Sequence, residues 1–150
     1  MNFYPDTSFL CALYREQDNS KRADAFLQRL AGPLPVTALV LFEFRQSVRW
    51  QTFLHRNDPG KGYGEKEGGR MLADLQGDLS SGLLQIQATD WANVISTAEQ
   101  LSTQHTTTGG HRAFDILHVA TALELGALEF LTFDSRQSGL ATALGLKVGP

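Results

Sequence analysis

Apolar and polar residues follow two spacings along the chain, one typical of short strands and the other typical of helices. Short apolar runs predict strands at residues 3–4, 34–36, 84–88, 129–133 and 146–148. Apolar residues at helical spacing predict helices over residues 8–14, 21–31, 38–54, 70–79, 91–101, 111–125 and 135–144. Strands that alternate with helices predict an α/β fold, a small parallel β-sheet flanked by helices on both faces.

Capping residues mark where several of these helices begin and end. Thr37 and Asp90 each precede a helical pattern and are good N-cap residues. Gly126 directly follows the most apolar helix and is a good residue for the position after its C-cap. Pro35 restricts the second strand to a short one, because proline cannot donate a hydrogen bond to a strand ladder.

Two polar stretches interrupt the pattern. Residues Asn57–Gly69 contain Pro59, five glycines and four Lys or Glu residues, which predicts a mobile loop or a connection between helices. His105–Gly110 is predicted to be a polar loop. Neither stretch resembles a linker between domains, so residues 1–150 are predicted to form one domain.

Composition and charge narrow the class of protein. A chain with 42% hydrophobic and 19% charged residues can build a core and is not typical of disorder. The net charge of −3 gives no global basic field, so any nucleic-acid site must be a local patch. The lone Cys11 excludes an intrachain disulfide and is interpreted as a buried, inert thiol. Neither a signal peptide nor an apolar run of membrane-spanning length is visible, so we expect a cytoplasmic protein without membrane contact.

Four acidic residues stand where apolar segments meet the next element: Asp6, Glu43, Asp115 and Asp134. Asp6 and Asp134 each follow a short apolar run and precede a hydroxyl residue and a helix, so both could converge at the carboxyl ends of parallel strands. Glu43 and Asp115 lie in apolar helical segments, where a carboxylate is costly unless something compensates it. A cluster of such hard oxygen ligands indicates Mg²⁺ or Mn²⁺.

Each acid also has a purely structural interpretation. Asp6 and Asp134 could cap the helices that follow them. Asp115 could be a first-turn acid that the helix dipole favours, although its apolar neighbours leave no obvious solvent face. Glu43 could reach the surface or pair with an arginine of its own helix. Spacing alone does not decide between four separate structural roles and one shared site.

The residues around Asp115 carry further candidate chemistry. His111, Asp115 and His118 are spaced to share one helix face, which could form a mixed metal site. The simpler interpretation makes His118 a hydrogen-bonded core residue and His111 a surface residue at the helix start. Arg112 could contact a phosphate or pair with an acid.

Other features indicate no competing chemistry. Trp50 and Trp91 fit core or partner contacts better than base stacking. The chain contains no P-loop, no dinucleotide-binding glycine motif after a strand and no nucleophile elbow.

In the order and spacing of its motifs the sequence resembles the PIN-domain ribonucleases, and within them the toxins of VapBC-type toxin–antitoxin pairs. The segments that carry this resemblance are Pro5–Leu10, Thr37–Phe44, Arg112–Ala122, Phe130–Asp134 and Leu144–Val148. Each segment is short, and together they extend over nearly the whole chain.

The resemblance implies a PIN-like fold, cleavage of RNA, a bound Mg²⁺ or Mn²⁺, a homodimer and inhibition by a cognate VapB-like antitoxin. The family's acidic residues correspond to Asp6, Glu43, Asp115 and Asp134. Asp6 and Asp115 are the implied direct metal ligands, and the supporting hydroxyl corresponds to Thr7 or Ser8.

Two other functions stay open at this point. A PIN domain without catalytic activity would bind RNA or protein only. A receiver-like phosphoacceptor domain would need an acidic pair after its first strand, where this chain has the single Asp6.

Overall fold

Five short parallel strands and seven helices form the fold, which the computed structural model describes over all 150 residues. The strands are β1 (Phe3–Pro5), β2 (Leu34–Val36), β3 (Leu84–Ile86), β4 (Glu129–Leu131) and β5 (Lys147–Gly149). The helices are α1 (Thr7–Tyr14), α2 (Ser20–Arg29), α3 (Ala38–Asn57), α4 (Glu65–Ser81), α5 (Trp91–Gly109), α6 (Ala113–Glu124) and α7 (Ser135–Ala143). This arrangement confirms the predicted α/β class.

All strand pairs are parallel, but they form two separate ladders, β1–β4–β5 and β2–β3. The backbone N–H groups of Asp6 and Leu34 bond away from the gap between β1 and β2, toward β4 and toward the residue before β3. In a strand, the backbone nitrogens of successive residues face opposite edges. The nitrogens of Pro5 and Pro35, next to Asp6 and Leu34, therefore face that gap. Neither proline has an N–H to donate, which explains why the neighbouring strands β1 and β2 are not joined by a ladder.

One cluster of buried apolar side chains lies between the strands and the helices. Its largest fully buried members are Tyr4, Phe9, Phe44 and Phe130. Tyr4 and Phe130 are opposite each other on β1 and β4, and their rings stack with centroids 5.4 Å apart. These contacts fix the carboxyl ends of the two strands relative to α1 and α3. None of the seven helices combines the length and the apolarity needed to cross a lipid bilayer.

The predicted helix caps are confirmed. The Thr37 hydroxyl accepts the N–H of Val40 at 3.4 Å at the start of α3. The Asp90 carboxylate accepts two backbone N–H groups at the start of α5. Gly126 follows α6 with φ of 61°, a conformation that costs glycine little.

The prediction for Asn57–Gly69 is wrong in part. Asn57 is the last residue of α3, and α4 begins at Glu65, so the connection is limited to residues 58–64. Gly68 is buried inside α4, where a Cβ atom would lie 2.6 Å from the Thr52 hydroxyl of α3. At this position glycine permits close packing of two helices.

The predicted polar loop at His105–Gly110 is wrong. Helix α5 continues to Gly109 and ends at Gly110, whose φ is 66°. The threonines there are poor helix formers, but the Thr108 hydroxyl bonds the His105 carbonyl one turn earlier at 3.3 Å. Since α6 starts only at Ala113, His111 lies before the helix and the predicted face shared with Asp115 and His118 does not form.

Several large apolar side chains lie on the surface. The predicted strand 84–88 ends at Ile86, which is 58% exposed, so its expected half-buried alternation is wrong at that residue. Trp50 is 52% exposed and stacks on the exposed Phe53 with ring centroids 5.3 Å apart. Trp91 is also exposed, so neither tryptophan belongs to the core.

Candidate active site

Asp6 stands at the carboxyl end of β1, and its side chain is completely buried. One oxygen accepts hydrogen bonds from the Ser8 hydroxyl at 2.7 Å and the Phe9 N–H at 2.9 Å. The other accepts from the Thr132 hydroxyl at 2.5 Å. Burial raises the pKa of Asp6, and these hydrogen bonds offset only part of that effect. Asp6 does cap α1, but a surface cap would not require this degree of burial.

Asp134 lies close to Asp6 through a shared hydroxyl. The Thr132 oxygen, which donates to Asp6, also accepts the backbone N–H of Asp134 at 2.9 Å. The Asp134 Oδ1 atom accepts the N–H groups of Arg136 and Gln137 at 2.8 and 3.2 Å and caps α7. The ends of β1 and β4 therefore bring the two acids to the same edge of the sheet, as their matching sequence contexts predict.

Glu43 lies in the second turn of α3 with its side chain 29% exposed. Its Oε2 atom accepts hydrogen bonds from His118 Nε2 at 2.6 Å and from the Thr7 hydroxyl. Burial acts to raise the pKa of Glu43, but the hydrogen bond and electrostatic attraction of His118, with help from Thr7, lower it below its usual value. Glu43 pairs with no arginine of its own helix.

His118 belongs to this site, although sequence reasoning treated it as a core residue. It is completely buried and hydrogen-bonded, as predicted, with Nδ1 2.9 Å from the Tyr4 hydroxyl. Its contact to Glu43 joins residues 75 positions apart in the chain, which no local pattern reveals. The one available signal was its position three residues after Asp115, a spacing that makes side chains neighbours on a helix.

Asp115 is in the first turn of α6, where its Oδ2 atom accepts the backbone N–H of Arg112 at 3.1 Å. The expectation that this helix start has no solvent face is wrong, because Arg112 and Phe114 are exposed and Asp115 is only half-buried. The Arg112 side chain forms no ion pair, so of the two alternatives left open for it, pairing with an acid is not realised. Asp115 thus has a capping role and remains accessible.

The free oxygens of these acids suit a hard cation. Glu43 Oε1, Asp115 Oδ1 and Asp134 Oδ2 have no hydrogen-bond donor from the protein. Carboxylate oxygens are the ligands that Mg²⁺ and Mn²⁺ prefer, so the donor chemistry fits these ions. No three His, Cys, Asp or Glu side chains are already grouped so that they could hold a metal ion. Side-chain rotation would therefore be needed for several acids to share one ion.

Cys11 lies close to this region but does not contribute a reactive thiolate. It is half-buried rather than fully buried as predicted. Burial raises the pKa of its thiol to about 11, with a smaller contribution from the charge of Asp6. The thiol keeps its proton at neutral pH, which agrees with the inert role predicted for it.

Solved structures with the same fold include a VapC toxin and two VapBC proteins. VapC20 from Mycobacterium tuberculosis, described as a sarcin-ricin loop cleaving toxin, aligns over 99% of this chain and 100% of its own with a TM-score of 0.67 and 19% identity. VapBC-1 from nontypeable Haemophilus influenzae aligns over 99% of this chain and 96% of its own, with a TM-score of 0.64 and 12% identity. VapBC2 from Rickettsia felis, bound to a promoter DNA fragment, aligns over 99% of this chain and 97% of its own, with a TM-score of 0.66 and 14% identity. At these identities the likeness establishes the fold.

Sequence comparison supplies the family. No curated protein sequence matched the chain. The family model described as "PIN domain" matches residues 3–142, which is nearly the whole chain and includes all four acids. The chain therefore belongs to the PIN-domain family.

Proposed function

We propose that this protein is a metal-dependent endoribonuclease that acts as the toxin of a toxin–antitoxin pair in the cytoplasm and hydrolyses RNA phosphodiester bonds at a site of four carboxylates. The observation that carries the proposal is the buried carboxylate of Asp6, linked through Thr132 to Asp134 at the sheet edge of a PIN domain. Structures of like fold include a sarcin-ricin loop cleaving toxin and two VapBC proteins, which supports a nuclease toxin here.

The proposed catalytic residues are Asp6, Glu43, Asp115 and Asp134. Asp6 and Asp115 would be the direct ligands of Mg²⁺ or Mn²⁺, with Asp134 and Glu43 completing the site. Such an ion lowers the pKa of a bound water and stabilises negative charge on the phosphate. Glu43 would position or deprotonate the attacking water through Oε1, because both protein donors bind its other oxygen and leave Oε1 free. Ser8 and Thr132 would hold the Asp6 carboxylate in place.

The proposed partners are an RNA substrate, a cognate VapB-like antitoxin and a second copy of the chain. With a net charge of −3, the protein needs a local surface for RNA. After Glu43, helix α3 carries Arg45, Arg49 and Arg56 and no acidic residue. Phe42, Trp50 and Phe53 of α3 are exposed, and exposed large apolar side chains are suited to contact with a partner.

The test is RNA cleavage by the purified wild type and by Asp115→Asn in Mg²⁺, in Mn²⁺ and in EDTA. We expect EDTA to stop the wild type and either ion to restore it. Asp115→Asn should abolish RNA cleavage while it stays folded, because the proposed ion would lose one of its two direct ligands. The matched control is Asp24→Asn, which changes an exposed acid of α2 and should cleave like the wild type.

Two results would overturn the assignment. Full activity in buffer shown to be metal-free by elemental analysis would remove the metal mechanism. Unchanged cleavage by a folded Asp115→Asn protein would remove this acid from the site. If the wild type cleaves no RNA with either ion, the protein is instead a PIN domain that only binds RNA or protein.

A further inference from the structure

A buried hydrogen-bond chain connects the core to Glu43. It runs from the Tyr4 hydroxyl to His118 Nδ1 at 2.9 Å, and from His118 Nε2 to Glu43 Oε2 at 2.6 Å. Tyr4 and His118 are both completely buried, whereas Glu43 is partly exposed. The chain therefore reaches the accessible carboxylate from the side away from solvent.

The partners of His118 select one imidazole tautomer. The Tyr4 hydroxyl lies 2.9 Å from Nδ1, and a phenol carries an O–H that it can donate to a ring nitrogen without a hydrogen. Nε2 then carries the ring hydrogen and donates it to the Glu43 carboxylate. The opposite tautomer would place the lone pair of Nε2 against a carboxylate oxygen 2.6 Å away, which is repulsive.

The same contacts distinguish the two oxygens of Glu43. Oε2 receives both protein donors, His118 Nε2 and the Thr7 hydroxyl, while Oε1 receives none. A glutamate side chain has several rotatable bonds, and ordering it has an entropic cost. Two donors from different elements, α1 and α6, hold this side chain in one orientation, with Oε1 as the oxygen free for a ligand.

We propose that His118 is a positioning residue, which holds Glu43 Oε2 through its Nε2 hydrogen so that Oε1 is presented to the site. Tyr4 supports this role by orienting the imidazole ring from the core. The inference rests on the proposed function, because it assigns Glu43 to RNA cleavage. Loss of a residue that hydrogen-bonds to a metal-binding side chain typically lowers metal affinity or activity by about 10–100-fold.

The first measurement concerns the tautomer and needs neither metal nor RNA. A ¹⁵N NMR spectrum of the imidazole groups in the metal-free wild type should show a hydrogen on Nε2 of His118. His118→Gln identifies the resonances by their disappearance. A hydrogen on Nδ1 with a bare Nε2 would overturn the proposal.

The second measurement compares two amide variants of the full-length protein. The amide nitrogen of His118→Gln reaches roughly as far as Nε2 and keeps a donor for Glu43, whereas the shorter side chain of His118→Asn does not. We expect the Gln variant to stay within about tenfold of the wild type in kcat and in Mn²⁺ affinity measured by calorimetry. The Asn variant should lose about 10–100-fold in both, with little change in KM for RNA.

A purely structural role predicts a different pattern. Both amides are smaller than the buried ring, and Asn is smaller than Gln, so a packing defect alone would lower the melting temperature of both, more so for Asn, and would leave Mn²⁺ affinity unchanged in the folded protein. If the two variants lose kcat and Mn²⁺ affinity equally, or if neither loses them, His118 does not position Glu43. If the wild type cleaves no RNA, the proposed function fails, while the tautomer and the Mn²⁺ titrations still decide the positioning role.

Discussion

Asp6 and Glu43 have opposite electrostatic surroundings although Thr7, the residue after Asp6, donates to Glu43. Burial raises the pKa of Asp6, while His118 lowers the pKa of Glu43. Two carboxylates with pKa values moved apart are typical of sites that divide acid and base roles. The sequence indicated these acids by their position after apolar runs. It could not show the contact of Glu43 with His118, because that contact depends on how α3 packs against α6.

At the scale of single residues, we predict that Asp6→Asn stabilises the metal-free protein by about 0.5–2 kcal/mol at neutral pH. A raised pKa means that the folded state binds the proton more tightly than the unfolded chain does. Wild-type stability therefore falls as pH rises from the unfolded pKa, about 4, through the raised folded pKa. The asparagine does not ionise, so the stability of the variant does not fall over this pH range. The variant should therefore be more stable than the wild type by the full amount above the folded pKa, and no more stable below about pH 4.

Urea unfolding of both proteins in EDTA, at pH values on either side of this range, measures the difference. Asp24→Asn, at an exposed position, should show no such pH-dependent gain. An Asp6→Asn protein that is less stable than the wild type at every pH would mean that the carboxylate acts mainly as a helix cap.

At the scale of helices and strands, sequence prediction succeeded where a single residue decides the outcome. Thr37 and Asp90 cap their helices because a side-chain oxygen reaches a free backbone N–H within three residues. It failed at residues 65–69 and 105–109, where glycine and threonine disfavour a helix locally. There, packing of α4 against α3 and of α5 against α6 outweighs local preference, and such contacts are not visible in a short sequence window.

Two neighbouring glycines of α4 test this account. Gly68→Ala should destabilise the fold by about 1–3 kcal/mol, because its Cβ atom would meet the stiff Thr52 side chain at 2.6 Å. Gly69→Ala has no atom within 4 Å of its Cβ position and should gain about 0.5–1 kcal/mol from better helix propensity. Thermal melts of both variants decide the matter. Equal shifts would mean that close packing of α3 on α4 does not require glycine at residue 68.

At the scale of the whole molecule, the alternation of strands and helices was enough to predict a parallel α/β fold, and the family match confirms its PIN-domain character. The division into two ladders follows from Pro5 and Pro35 facing the same gap, which requires the register and could not be read from the sequence. The exposed pair Trp50 and Phe53 shows that part of the apolar content serves the surface rather than the core. Such a surface is typical of partner contacts.

The toxin proposal predicts the effect of the intact protein in cells. Expression of the wild type without a partner should arrest growth, and a co-expressed cognate VapB-like antitoxin should relieve the arrest. Asp6→Asn at the same protein level should be harmless, because it removes one charge of the site and keeps its shape. If wild type and variant, matched by immunoblot, are equally harmless, the chain does not act as a toxin.

The most direct test of the four-carboxylate site is an anomalous diffraction map from crystals grown in saturating Mn²⁺. Manganese can be located by its own anomalous signal, and the map shows which atoms surround it. We predict an ion at the edge of the sheet formed by the ends of β1 and β4, contacted directly or through water by Asp6 and by the free oxygens Glu43 Oε1, Asp115 Oδ1 and Asp134 Oδ2. A map with no manganese at this edge, or with manganese held by one of these acids alone, would contradict the account.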